Sequence, residues 1–244
     1  MSATLSRREF LAYASIFGWI PFFRPHHISL AGARFRIHYN GHSSRRYLVI
    51  HGDEEDARQV LLFHIKTHEG IAFVIENHTR NVQVAGGEID PNRMFSRTGA
   101  EASLRNLNPE WSAAQIEAAL RILDKGRGKL VHAFFPPHNG LLIALHNNSP
   151  AYSVNDEIPQ SDATSIREPD NPHAFILTTS EADFRILATS PYNVVLQNKA
   201  PKTDDGSLSR LAALRAARYL NLEVAHGRGD RQAEMLNWID WNLP

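Results

Sequence analysis

"YLVIHGDEEDARQVL", residues 47–61, joins a short β-branched run to a helical pattern through His51, a glycine and four consecutive acids. An apolar strand that leads into a helix is the repeating unit of an α/β fold. The placement has two readings. His51 and Glu54 are candidate metal ligands, three residues apart at a strand end. Alternatively, the acids form a polar turn that favours the positive end of the following helix.

Working outward, strands and helices alternate almost throughout. "RFRIHYNG" (34–41) alternates like a strand and stops at Asn40-Gly41, a hairpin signal. "RYLVIHG" (46–52) reads as a buried strand, and 54–67 as a helix with Ala57, Val60, Leu61 and His64 along one side. "IAFVIEN" (71–77) and "TRNVQVAG" (79–86) read as strands, and "GGEIDPNRMFSRTG" (86–99) as a loop. Asn108, followed by Pro109, reads as the cap of a long helix. "GLLIALHNN" (140–148) repeats the opening pattern of an apolar strand ending in histidine.

Residues 147–172 form a long polar loop, and long loops in compact domains are often functional. "HAFILTT" (173–179), a short helix capped by Ser180, "YNVVLQN" (192–198), a helix over 207–220, "YLNLEVAHG" (219–227) and a closing helix over 230–240 complete the chain. Several strands are continuous apolar runs, as in sheets covered on both faces. The expectation is a single α/β domain with a central mixed, mostly parallel sheet flanked by helices.

Composition narrows the function. The 244-residue chain is long enough to bury a substantial core, and its 26 basic and 26 acidic residues balance, so no basic excess points to nucleic acid. Thirteen histidines supply ligands generously. The absence of cysteine excludes disulfides, thiolate metal sites and a cysteine nucleophile. No Gly-x-Ser-x-Gly elbow is present, which excludes the usual serine hydrolase of α/β type.

At the N-terminus, "SRREFLAYASIFGWIPFF" (6–23) places Arg7 and Arg8 before a modestly apolar stretch interrupted by Pro21. This resembles a bacterial twin-arginine (Tat) export signal; the alternative is an amphipathic N-terminal helix. "SLAGA" (29–33) offers small residues for cleavage. Residues 1–33 are therefore expected to be a signal segment and 34–244 the folded domain. Such a protein would meet the Tat machinery, lie in the periplasm or on the outer face of the cytoplasmic membrane, and touch the membrane only through an uncleaved signal.

In an open α/β sheet, ligands gather beyond the carboxyl ends of the strands. Four polar stations fall there: His51 with Glu54, Asn92 with Arg93, His146, and Glu223. Two histidines and one carboxylate make a typical catalytic zinc set with a fourth position left for water. A glutamate flanked by Leu222 and Val224 is costly to bury without a purpose. Glu223 could instead sit at a strand edge, Arg93 could stabilise its own loop, and His146 could be a core-edge histidine.

"HGDE" (51–54), "DPNRMFS" (90–96), "LHNN" (145–148) and "NLEVAHG" (221–227) occur in the order seen in the zinc carboxypeptidases, nearest the succinylglutamate desuccinylase/aspartoacylase group. The ordered set resembles that superfamily over about residues 34–240, and "DPNRMFS" is its most specific piece. The resemblance implies one zinc ion on His51, Glu54 and His146, and Glu223 as the catalytic base. Asn92 and Arg93 would hold a substrate carboxylate. Relatives usually add another arginine for the developing oxyanion; Arg80 and, less closely, Arg97 are candidates. The sequence is shorter than digestive-type carboxypeptidases, and the extra C-terminal domain common in the aspartoacylase group is not expected in it. The implied activity is zinc-dependent hydrolysis of an amide next to a free carboxylate, in a small peptide or acylated amino acid. The alternative is a non-catalytic zinc- or ligand-binding module of the same fold.

Overall fold

The computed structural model describes residues 26–137, 139–199 and 203–244. The twin-arginine segment lies outside them. A nine-stranded mixed sheet runs in the order β1 (His27–Leu30), β2 (Ala33–Asn40), β4 (Gly70–Ile75), β3 (Arg46–Val49), β7 (Leu142–Asn148), β11 (Tyr219–Ala225), β9 (Phe175–Thr178), β10 (Asn193–Leu196), β8 (Ala163–Ser165). Parallel pairing runs through β4, β3, β7 and β11, and again joins β9 to β10. The remaining pairings, toward both edges, are antiparallel. Among the described residues the helices are α1 (Glu55–His64), α2 (Arg97–Leu107), α3 (Ala113–Phe134), α4 (Val154–Glu157), α5 (Glu181–Leu187), α6 (Leu208–Leu214) and α7 (Gly229–Asn242). Among the described residues, no helix is long and apolar enough to cross a membrane.

The register tells which residues share a face. Leu48 pairs with Phe73 and with Ala144, so these three point one way. Phe134 of α3 packs its ring edge-on against Phe35 and Phe73 on that face. Tyr47 points the other way, where its hydroxyl meets Asp240 of α7. Leu48, Ile50, Leu142, Ile143, Leu220 and Leu222 are all essentially inaccessible to water, which explains the unbroken apolar runs.

Several local expectations shift. Asn40-Gly41 does turn the chain, with Gly41 at φ 63°, but β4 inserts between β2 and β3, so no hairpin joins them. Residues 86–99 are more ordered than a loop. Gly87–Ile89 forms strand β6, paired with β5 (Val82–Val84), and Pro91–Arg93 makes a single 3-10 turn. Helix α2 follows, started by Ser96, whose hydroxyl accepts from the Gly99 amide. Asn108 ends α2 rather than capping the long helix; Ser112 takes that place, with its amide donating to the Gln115 side chain. The long loop contains α4 and β8. Ser180 caps α5 as expected. The expected boundary at 33/34 falls inside the fold, because His27–Leu30 pairs with β2 and buries Leu30.

Gly99 shows how tightly the helical layer is fitted. A Cβ there would lie 2.2 Å from the backbone of Gly206, which itself holds a φ of 75°. Neither backbone has a flexible side chain to move aside. Gly99→Ala is therefore expected to destabilise the fold by about 1–3 kcal/mol. At roughly 2–4 °C per kcal/mol for a chain of this size, a melting curve resolves the loss. An unchanged melting temperature would mean that the segment bearing Asp205 and Ser207 is not packed on α2.

Candidate metal centre

The site lies where the chain order reverses. From β3 the chain passes through α1 to β4 on one side, while β7 and β11 lie on the other. This is the position at which α/β sheets open a crevice beyond their strand ends. A cleft of about 580 Å³ opens there, with His51, Glu54, Arg80, Arg93, His146 and Glu223 among its lining residues.

His51 follows β3, and Glu54 immediately precedes α1. Their spacing lets the carboxylate fold back onto the imidazole, with Glu54 Oε1 2.8 Å from His51 Nδ1. His146, on β7, brings its Nδ1 to 3.2 Å from Glu54 Oε2. One donor atom from each of the three residues lies within 4.8 Å of the others, and all three residues are buried. The three expected ligands are thus brought together from separate segments of the chain.

Asp90 supplies what the motif reading missed. Its carboxylate sits 3.0 Å from His51 Nε2, the ring atom facing away from Glu54. A carboxylate on the far nitrogen fixes the orientation of a ligating imidazole and raises its basicity. Asp90 also accepts from the Asn92 amide, which makes it look from sequence like an ordinary turn-capping residue. Its first position in "DPNR" was the available signal.

The electrostatics favour positive charge. Burial would raise the Glu54 carboxyl, but His146 and His51 outweigh it and hold it down at about 2. Burial would lower His51, but Glu54 and Asp90 raise it to about 9. Asp90 is likewise held well below the usual carboxylate range, burial being overcome by its bond to His51 and by the charges of His51, Arg80 and Arg93. Glu54 Oε2 is buried and, despite its closeness to His146, has no aligned hydrogen bond. Two nitrogen donors, one carboxylate with an uncommitted oxygen, and a second carboxylate behind the first imidazole fit a divalent cation.

Glu223 stands beside this cluster. In the parallel register of β11 and β7 it is the direct partner of His146, so both side chains leave the same face of the sheet. It is buried, and Asn221 Nδ2 donates to its Oε1 at 3.0 Å. Burial, and then the Glu54 charge, push its carboxyl up to about 7 against the pull of His146 and Asn221.

The arginines divide. Arg80 places Nη1 3.6 Å from Glu54 and Nη2 3.8 Å from Asp90, at the edge of the cluster. Arg93 lines the cleft, donates to the Asn92 carbonyl and stands 3.6 Å from Asp205. It therefore braces its own turn while facing the cavity. Asn92 also lines the cleft, yet its side-chain oxygen is taken by the Leu208 amide at the start of α6. Arg97 does not reach the site: it pairs with Glu117 and Asp124 of α3. The long loop contributes Ser149, Tyr152, Glu157 and Gln160 to the cleft wall. Glu157 there accepts from Tyr152, Gln160 and Gln197.

No family model and no curated protein matches the chain. Two solved structures are similar to it. One is the apo structure of the ectoine utilization protein EutE (DoeB) from Ruegeria pomeroyi, at 12% identity and a TM-score of 0.42, covering 91% of this chain and 68% of that one. The other is a candidate metallopeptidase from Shewanella denitrificans OS217, at 13% identity and a TM-score of 0.41, covering 89% of this chain and 82% of that one. Likenesses this distant leave the site's own geometry to bear the functional reading: this is an α/β domain with a buried His–Glu–His set able to hold a metal ion.

Proposed function

We propose that the chain is a zinc-dependent hydrolase that cleaves an amide next to a free carboxylate, in a small peptide or an N-acylated amino acid. The observation that carries the reading is the pairing of Glu223 with His146 across β11 and β7, beside the buried His51–Glu54–His146 set. A buried carboxylate beside such a set, with its pKa raised toward 7 by burial, is suited to general-base work on a bound water. The ordered motifs that resemble zinc carboxypeptidases point the same way.

In this mechanism His51, Glu54 and His146 would hold the cation, and Asp90 would keep the His51 ring in place. The bound ion supplies Lewis-acid activation of water and of the substrate carbonyl. Glu223 accepts a proton from the attacking water and returns it to the departing nitrogen. Arg80, at the edge of the cluster, is placed to meet negative charge developing on the carbonyl oxygen. Arg93 presents a planar fork to the substrate carboxylate.

The test is a screen of short peptides and N-acyl amino acids with free carboxylates, run with the protein stripped of metal and then reloaded with Zn2+. Cleavage should appear only after reloading. Zinc bound at the cleft without cleavage of any member would favour a binding module instead. Arg93→Ala should lower kcat/KM for a cleaved substrate by about 10- to 100-fold, chiefly through KM. That range corresponds to losing a charged hydrogen bond worth about 1.5–3 kcal/mol. The methyl ester of the same substrate should be cleaved equally by variant and wild type. An equal loss on both would remove Arg93 from carboxylate recognition.

A further inference from the structure

We infer that His64, His68 and Asp240 form a second divalent-cation site, at the opposite end of α1 from the cleft. Helix α1 begins beside Glu54 and ends at His64. Its ten residues separate the two places by about 15 Å at 1.5 Å rise per residue. The His68 amide continues the helical pattern by donating to the His64 carbonyl at 3.0 Å, so the two histidines lie one turn apart on one face. Their rings stack in parallel, with centroids 3.9 Å apart and 5° between planes. Asp240 reaches them from α7.

The donor atoms lie close enough to share one ion, toward which the two stacked rings would tilt, since an imidazole ligates along its own plane. His68 Nδ1 lies 3.0 Å from the Thr67 hydroxyl and 3.2 Å from the His64 carbonyl oxygen, so this nitrogen is already engaged. Its Nε2 is the ring nitrogen left over, and it faces Asp240 Oδ2 from 3.9 Å, too far for a hydrogen bond. His64 Nε2 approaches the same oxygen at 2.7 Å, yet the contact is not aligned as a hydrogen bond. Both atoms are buried and lack any other hydrogen-bond partner, and the His64 residue is only 4% exposed.

A proton satisfies one nitrogen–oxygen pair at most. An ion about 2.0–2.2 Å from each donor bridges pairs up to about 4 Å apart and so engages all three. Asp240 is anchored for the task. Its other oxygen is held by Arg45 and approached by the Tyr47 hydroxyl at 3.4 Å, while Arg45 also donates to the Leu243 carbonyl at 2.5 Å. The guanidinium charge will weaken the site relative to the cleft. Two imidazoles and one carboxylate select a borderline ion such as Zn2+ over Mg2+ or Ca2+. The ion would tie the end of α1 to the C-terminal helix.

The experiment measures Zn2+ bound per chain. Metal-stripped full-length protein is equilibrated with Zn2+ alone, with Mg2+ in parallel, and excess ion is removed. Wild type should hold two equivalents of Zn2+, His68→Ala one, and His51→Ala one. His68 is about one-third exposed and lies beyond the end of the helix, so its removal leaves the core intact. If His51→Ala fails to fold, the drop between wild type and His68→Ala decides by itself. Wild type holding one equivalent that His68→Ala retains would overturn the second site and leave the cleft reading standing. A single equivalent lost only in His68→Ala would support the second site and sink the cleft reading.

Discussion

Glu223→Gln should keep the cation in the cleft and lose turnover by about 10²- to 10⁴-fold, the usual value of general-base assistance. The substitution tests proton transfer with little change of shape. An amide oxygen can still accept from Asn221 Nδ2, which now holds Glu223 Oε1 at 3.0 Å, so the new side chain has a reason to stay in place. It cannot take a proton from water. The pH dependence provides a second reading of the same group. Only the ionised carboxylate is a base, so kcat/KM must rise with pH through its pKa. Burial pushes that pKa up to about 7, and a nearby cation pulls it down again. The acidic limb should therefore have a midpoint at or below about 7, and this limb should vanish in Glu223→Gln. Wild-type turnover in that variant, on a substrate the native protein cleaves, would end the mechanism even with the metal in place.

The residues of the His51–Glu54–His146 cluster, which could hold a metal ion, were legible because local chemistry exposes them. His51 and Glu54 are three residues apart at a strand end, and such a spacing folds a carboxylate back onto an imidazole whatever the rest of the chain does. His146 and Glu223 stand out as polar groups at the ends of apolar runs. Their being partners across β7 and β11 was not legible, since strand register is decided by packing between residues 77 apart in the sequence. The same distinction explains the misplaced hairpin. Asn40-Gly41 correctly signals a turn, but a turn does not dictate which strand fills the neighbouring place, and β4 does so. Helix α2 escaped notice because it buries Gly99, Ala100 and Leu104 rather than a stripe of large apolar residues. Asp90 escaped because one carboxylate does two things: it caps the turn at Asn92 and orients His51.

That double duty makes Asp90 and Glu54 separable by experiment. Asp90→Ala should weaken Zn2+ binding in the cleft by about 10- to 100-fold, as expected when the partner behind a ligating histidine is lost. Glu54→Gln should weaken it further. Glu54 is the one anion among the three proposed ligands, and it faces His51 at 2.8 Å and His146 at 3.2 Å. An uncharged amide leaves two imidazoles to balance a dication in a buried setting. Both affinities are best measured by competition with a chelator in a His68→Ala background, so that only the cleft is counted. Stability has to be followed alongside, because breaking a buried ion pair can itself cost about 3–5 kcal/mol. The two quantities part company in a useful way. If Asp90 merely holds its turn, Asp90→Ala lowers the melting temperature while the folded fraction binds zinc as tightly as before. If it orients His51 for the metal, affinity falls in protein that is still fully folded at the assay temperature. A ranking in which Asp90→Ala costs more affinity than Glu54→Gln would contradict the assignment of Glu54 as ligand and Asp90 as its support.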